Sequence, residues 1–340
     1  MRIMIVAPPW LPVPPPAYGG TETVLDGLAR GLKAAGQDVL LYTTGESTCP
    51  VERSWVFERA IGVGLGGAAA EIRHVVHAYA AAHEVDVVHD HTLIGPLYSE
   101  RFPRLPVVTT NHGPFESDLI DLYRIVADRV PIIAISHHQA STAGDVPIAT
   151  VIHHGVDPAE FPVGDGTGGY ALFLGRMNPG KGAHVAARLA RQAGIDLKIA
   201  GKCHEQLEID YVESAIKPLL GAGIEYLGEV DHATKIGLLG GATMLLNPIS
   251  WPEPFGMVMI EALACGTPVV TTPYGAAPEI VEDGVTGFVC DDEPALLAAM
   301  GRIGEIDRRR CRAAVEGHFS RRRMVDEHIA LYRRVAGGAS

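Results

Sequence analysis

Residues 251–272 read WPEPFGMVMIEALACGTPVVTT, and this stretch decides how the rest of the chain is read. Pro254-Phe255-Gly256 precedes a strong helix-forming run, so a helix is expected to begin near Phe255 or Gly256. Gly266-Thr267-Pro268 ends it and leads into an apolar strand, PVVTT. A helix feeding directly into a buried strand is the repeating unit of α/β architecture. Glu261 breaks the pattern, because every other residue from Met257 to Gly266 is apolar or small. It falls about one and a half turns into the helix. Glu253 lies eight positions earlier, just before the helix start, where backbone N–H groups have no partner. An ionised carboxylate buried without a partner is costly. Glu261 therefore needs either a basic side chain or the hydroxyls of a ligand. The pair flanks a natural anion site, with amides for phosphate and carboxylates for hydroxyls. A ligand carrying both groups is a nucleotide sugar.

Outward from this unit the same alternation recurs. In the first half, β-rich runs occupy Arg2–Ala7, Asp38–Thr43, Asp86–His89, Pro106–Thr110, Pro131–Ile135 and Ala149–Ile152. In the second half they occupy Tyr170–Leu174, Asp196–Ala200, Ile224–Leu227, Thr243–Asn247, Pro268–Thr272 and Gly287–Cys290. Continuous rather than alternating apolar strands suit parallel sheets covered on both faces. Between the two series, residues 157–169 (DPAEFPVGDGTGG) have no periodicity and read as an interdomain linker. The expected architecture is α/β, with two doubly wound, Rossmann-like parallel-sheet domains facing a cleft. Its parts are an acceptor-binding domain over 1–160, a nucleotide-sugar-binding domain over 161–320, and a C-terminal helix over 321–340 packing back on the first domain.

Composition narrows the function. A chain of 340 residues that is 47% hydrophobic can bury two cores. No apolar run reaches the ~20 residues of a membrane-spanning helix, and MRIMIVAPPW reads as a first strand rather than a signal peptide. Five cysteines without CxxC spacing read as reduced thiols in a cytoplasmic protein. The net charge of −12 argues against a nucleic-acid partner. Residues 1–165 carry 10 basic and 19 acidic residues, a net of −9, the wrong sign for docking on anionic lipid. A soluble acceptor is expected, and an anionic ligand would be held by a few local cations and helix N-termini.

Two further segments agree. In LGRMNPGKG (174–182), Arg176 and Lys181 follow the first strand of the second half, where a diphosphate would lie. In PPAYGGTETV, Gly19-Gly20 lets backbone approach a ligand at a helix N-terminus, without the GxxxxGK[ST] of a P-loop.

These elements, in order, resemble the retaining glycosyltransferases of family four, which have the GT-B fold. The resemblance spans nearly the whole chain. It rests on GGTE (19–22), DVVHDH (86–91), NHG (111–113), GVDPAEF (155–161), LGRMNPGKG (174–182), YLGEV (226–230), EPFGMVMIEALACGTPVV (253–270) and GAAPEIVEDGVTGF (275–288). It implies a hexosyltransferase whose donor is a UDP- or GDP-linked sugar, glucose or mannose, with no cofactor and no metal. It implies that Arg176 and Lys181 hold the donor diphosphate and that Glu261 accepts from the ribose hydroxyls. Glu253 would bind hydroxyls of the transferred sugar, and the amides of Phe255, Gly256, Met257 and Val258 would meet sugar and phosphate. Backbone from Gly228 to Val230 would border the base, Gly19-Gly20 would approach the diphosphate, and His112 the sugar ring. His112, Arg176, Lys181 and Glu253 would be the catalytic set. The chain departs from the family at His154, often Asn, and at Gly275-Ala276, usually a glycine pair.

Other readings compete. Gly62-Val-Gly64-Leu-Gly66-Gly67 matches the dinucleotide fingerprint GxGxxG, with Asp86 nineteen residues beyond Gly67, which would suit an NAD-dependent oxidoreductase or a nucleotide-sugar epimerase on a related two-domain fold. However, these glycines do not follow the first strand of a domain, and Asp86 begins a strand where the ribose-binding acid should end one. Fifteen histidines raise a metal hydrolase, with His89-Asp90-His91, His137-His138, His153-His154 and the pair His74/His77 as candidates. Zinc needs three or four converging ligands, and adjacent histidines on a strand point to opposite faces. Most of these histidines are expected to be satisfied or solvated, with His112 the exception.

Overall fold

The computed structural model describes residues 1–62 and 67–337. The chain divides into two compact units, Met1–Gly155 with Arg321–Ser340, and Val156–Ser320.

The first unit holds a seven-stranded sheet of β1 (Arg2–Val6), β2 (Asp38–Thr43), β3 (Glu52–Trp55), β4 (Val87–Asp90), β5 (Val107–Thr110), β6 (Ile132–Ala134) and β7 (Ile148–Val151). The order is β3-β2-β1-β4-β5-β6-β7, and all pairs are parallel. Ile3, Met4, Ile5 and Val6 are fully buried, as a strand covered on both faces requires. The helix Gly20–Ala34 buries Val24, Leu25, Leu28, Ala29 and Leu32, the three- and four-residue spacing of one face. The last helix, Arg321–Gly337, belongs to this unit. It packs on the Gly20–Ala34 helix and on β4 and β5, burying Met324, Val325, His328, Ile329, Leu331 and Tyr332. Each such apolar side chain contributes about 1.5–3 kcal/mol on full burial.

The second unit holds a six-stranded sheet of β8 (Tyr170–Leu174), β9 (Asp196–Ala200), β10 (Ile224–Tyr226), β11 (Met244–Asn247), β12 (Val269–Thr271) and β13 (Gly287–Val289), in the order β10-β9-β8-β11-β12-β13. It too is entirely parallel. In both sheets the strand order reverses beside the first strand, so the crevice at the carboxyl ends of β8 and β11 is the natural ligand position of the second unit.

All twelve expected strands are present. The thirteenth, β3, lies at a sheet edge with the sequence ERSW and is half exposed. It lacks an apolar run because an edge strand has one unpaired side facing solvent. Residues 157–169 are built into the second unit. The amides of Gly164, Gly166 and Gly168 donate to Cys265, Gly240 and Gly241 at 2.9–3.1 Å. The Arg308 guanidinium ties the same stretch down through Gly164, Gly240 and Ala242 carbonyls, each at 3.0 Å. Among the described residues no helix is long and apolar enough to cross a membrane.

Candidate active site

The helix Met257–Ala264 starts at Gly256, whose φ of 101° is open to glycine and strained for other residues. That turn brings the chain from β11 into the helix. It leaves the first-turn amides, Met257 and Val258, without intrahelical partners. Gly275 supports the turn from behind. Its φ is 63°, and a Cβ there would overlap the Glu253 backbone, while the next amide, Ala276 N–H, donates to the Glu253 carbonyl at 2.9 Å. Glu253 is thus held at a fixed height beyond β11. The alanine at 276 leaves this contact intact, because the contact uses its backbone alone.

Lys181 reaches the same place from β8. Asn178 accepts from the Lys181 amide at 3.0 Å and shapes the short turn Pro179–Lys181. The Lys181 ammonium forms an ion pair with the Glu253 carboxylate, the two side chains being only 18% and 14% exposed. It also lies 5.3 Å from the centre of the Trp251 ring, a cation–π distance. A cation and a carboxylate from opposite sides of the β8/β11 crevice therefore meet beside a helix N-terminus. The structure places Lys181 and Glu253 beside the turn of Phe255, Gly256, Met257 and Val258 that starts this helix.

Arg176 sits differently. Its Nη2 donates to Glu205 at 2.6 Å and its Nε to Glu208. Glu208 is buried and also accepts from the His204 and Glu205 amides at 2.7 and 3.0 Å. Burial raises the Glu208 pKa, but these amides and Arg176 outweigh it and hold the carboxylate below its ordinary value. Arg176 thus follows β8 as expected but is clamped by two carboxylates at the start of the helix Gln206–Tyr211.

Glu261 has a protein partner. Lys235 Nζ, from the helix His232–Gly241, donates to its Oε1 at 2.6 Å. Of the two ways to satisfy this carboxylate, a basic side chain is realised for one oxygen. Gly228 and Val230 stand in the segment between β10 and that helix, half-buried, and the Gly228 carbonyl accepts from Gly201 at 2.8 Å.

In the first unit Gly19 precedes the helix Gly20–Ala34 and packs on Pro15, where a Cβ would stand 2.7 Å away. Gly20 has open space on its side-chain face. His112 follows β5. Its Nε2 bonds His91 Nδ1 at 2.8 Å, and its ring stacks on His154 with centroids 5.3 Å apart. Burial pushes the His112 pKa down to about 4, so at neutral pH it is an uncharged hydrogen-bonding ring. His89 is fully enclosed and bonded through both nitrogens, to Tyr332 at 2.6 Å and Thr110 at 2.8 Å. His328 bonds the Met324 carbonyl at 2.7 Å. The bonded nitrogens are directed to hydroxyls, a carbonyl and one another, while His91 Nε2 is enclosed without a hydrogen-bond partner among the described residues. Of the candidate pair on one helix, His74 is buried and His77 exposed.

Sequence reasoning missed Lys235 and Glu208, and weighed His91 only as a metal ligand. Lys235 carried one signal, as the lone Lys or Arg in HATKIGLLGG, a helix whose remainder after it is apolar or glycine. In the fingerprint-like run, residues 63–66 lie outside the described residues. Asp86 accepts from the Arg2 amide at 2.8 Å at the amino end of β4, the wrong end for a ribose-binding acid.

Comparison with known proteins agrees with the fold. The family model for group 1 glycosyl transferases matches residues 162–310, and that for glycosyltransferase family 4 matches residues 18–160. A phosphatidyl-myo-inositol mannosyltransferase of Mycolicibacterium smegmatis is 28% identical over 344 residues, covering 91% of this chain and 86% of its own length. Among solved structures, AviGT4, a glycosyltransferase involved in avilamycin A biosynthesis, superposes with a TM-score of 0.75 at 26% identity, over 99% of this chain and 98% of that one. Alr3699/HepE of Anabaena, solved with UDP and glucose, shares the fold with a TM-score of 0.78 at 20% identity, over 98% of this chain and all of its own. The chain belongs to the family 4 glycosyltransferases and is a hexosyltransferase of the GT-B fold.

Proposed function

We propose that the protein transfers glucose or mannose from a nucleoside-diphosphate sugar to an acceptor hydroxyl, with retention at the anomeric carbon. The Lys181–Glu253 pair at the carboxyl ends of β8 and β11 carries this reading. The donor diphosphate takes the place of Glu253 as the partner of Lys181. The released Glu253 then accepts from hydroxyls of the sugar. Arg176 and the amides of Phe255, Gly256, Met257 and Val258 stabilise the charge that grows on the departing diphosphate. The bond from the anomeric carbon to the diphosphate oxygen breaks as the bond to the acceptor oxygen forms on the same face, and the acceptor proton passes to the leaving phosphate. No protein nucleophile and no cofactor enters this route. Catalysis is positional and electrostatic. Gly228–Val230 borders the base.

The acceptor in this reading is soluble and the protein cytoplasmic. The net −9 of residues 1–165 supports this, even though the mycobacterial relative is named for a phosphatidylinositol. Flotation with anionic liposomes tests the point, and salt-sensitive binding to them would overturn it. The reaction itself is tested by thermal shift with UDP, GDP, ADP and NAD, followed by NMR of the product of the stabilising donor sugar. One nucleoside diphosphate at about 100 times its Kd should add roughly 2.7 kcal/mol, and the product should keep the donor's anomeric configuration. Stabilisation by NAD alone, or an inverted product, would reject the proposal.

A further inference from the structure

Glu261 sits in a helix whose neighbouring residues Met259, Ile260, Ala262, Leu263 and Ala264 are all fully buried. A carboxylate buried there is costly without a charge or hydrogen-bond partner. Lys235 supplies it, and it does so in a particular way. Its ammonium takes Oε1 at 2.6 Å. The other oxygen, Oε2, makes no hydrogen bond among the described residues and is not one of the fully enclosed unpartnered atoms. One face of the carboxylate is thus fixed by the protein and the other left open. Lys235 is in turn rigidly mounted. Its helix begins at Asp231, which accepts from the Thr234 amide at 2.8 Å, directly after Gly228–Val230.

We propose that Lys235 is a positioning residue for nucleotide recognition, holding Glu261 aimed so that its open oxygen receives the vicinal hydroxyls of the ribose. The lysine also neutralises a carboxylate that would otherwise repel a diphosphate close by. A surface ion pair placed only for stability has no reason to be this enclosed, with the side chains 20% and 7% exposed. Nor has it reason to leave one carboxylate oxygen unused. The inference rests on the reading that Glu261 binds ribose.

The test is calorimetric titration with UDP, GDP and their 2′,3′-dideoxy analogues, alongside unfolding curves. In the wild type the ribose form of the preferred nucleotide should bind about tenfold to a hundredfold tighter than its dideoxy form, the range of a charge-assisted hydrogen bond. Lys235→Met should reduce that ratio to about threefold or less by weakening the ribose form much more than the dideoxy form, and Lys235→Arg should retain most of it. If the methionine variant does not fold, Lys235→Gln, which keeps a donor for Oε1 but loses the charge, is read by the same ratio. A Lys235 variant that melts lower yet keeps the wild-type ratio would overturn the proposal, since that is the behaviour of a purely structural ion pair. Glu261→Gln separates the two levels of the argument. Loss of the ratio in Glu261→Gln but not in Lys235→Met rejects the role of Lys235 alone, whereas an unchanged ratio in Glu261→Gln rejects ribose binding and the inference with it.

Discussion

At the carboxyl ends of β4 and β5 the first unit gathers His89, His91, Thr110 and His112, backed by His328 and Tyr332 of the last helix. At the carboxyl ends of β8 and β11 the second unit gathers Lys181, Glu253, Arg176 and, on adjoining helices, Lys235, Glu208 and Glu261. The two sheets share one strand order, β3-β2-β1-β4-β5-β6 matching β10-β9-β8-β11-β12-β13, with the first place one strand beyond the reversal and the second at it. The first set is uncharged. Burial drives His89, His91 and His154 well below the ordinary histidine value, and His112 and His328 to about 4. The second set is fully charged and internally paired. One topology thus supports two kinds of binding wall. A neutral wall offers donors and acceptors without a net field, which suits sugar hydroxyls. A paired ionic wall can exchange one internal partner for an external anion, which suits a diphosphate.

The largest effect that separates the two walls is acid. A histidine whose folded pKa lies below its unfolded value of about 6.5 favours the folded state above that value. It loses that contribution as pH falls from there toward the folded pKa. His74 and His328, both held at about 4, together cost about 3 kcal/mol between pH 6.5 and 5. His89, His91, His112 and His154 act in the same direction. Asp90 opposes them. Desolvation raises its pKa to about 6, so it returns about 1 kcal/mol over the same range. The first unit should therefore lose stability steeply below pH 6.5. Trp10 and Trp55 lie in this unit and Trp251 in the other, so a Trp251→Phe variant makes urea unfolding by fluorescence report the first unit alone. Equal stability at pH 7.5 and 5 would erase the contrast.

Next in size is Gly275→Ala, which tests how stiffly the ionic wall is mounted. The new Cβ would overlap the Glu253 backbone at a positive φ. Glu253 must move, and a displacement of about 1 Å at a reacting site costs on the order of a hundredfold in rate. The expected loss is in kcat/KM, with the acid transition of the first unit unchanged. Wild-type kcat/KM would mean that the Glu253 turn is not what holds the site.

Lys181→Ala comes third. Removing the cation should weaken nucleoside-diphosphate binding about tenfold to a hundredfold, as loss of a charge-assisted bond does, while nucleoside affinity stays near wild type. Equal losses for both would remove Lys181 from the diphosphate.

Much of this was legible in the chain because fully covered parallel strands must be continuously apolar, as in YALFL and PVVTT. The glycines and prolines around Pro254-Phe255-Gly256 marked the Met257 helix within two residues. The pairings were not legible. Lys181 and Glu253 are 72 residues apart and Lys235 and Glu261 26 apart, and no local pattern encodes which cation meets which carboxylate. The neutral wall was hidden for the same reason, since His89 meets Tyr332 across 243 residues. The position of Arg176 after β8 was readable, but its capture by Glu205 and Glu208 was not, because a helix N-terminus and its capping carboxylates intervene only in space.

The smallest expected change in binding comes from Glu253→Gln, and it bears most directly on what the ionic wall is for. Glu253 pairs with the Lys181 ammonium, so a diphosphate must compete with it. Glutamine keeps the shape of the side chain and one carbonyl acceptor but gives up the charge that makes the competition strong. Affinity for the bare nucleoside diphosphate should stay at the wild-type value or rise a few-fold at most. The donor sugar loses a charged acceptor for its hydroxyls at the same time, so kcat/KM should fall by about tenfold or more. Opposite signs for product-like and donor-like ligands are the signature of a carboxylate that exchanges partners during binding. If Glu253 instead served only to brace Lys181, its neutralisation would let the lysine swing away, and nucleoside-diphosphate binding would weaken together with kcat/KM. Calorimetric titration of the variant with UDP and GDP, set beside its steady-state kinetics, separates these outcomes, and a parallel loss in both would show a rigid ionic wall rather than an exchangeable one.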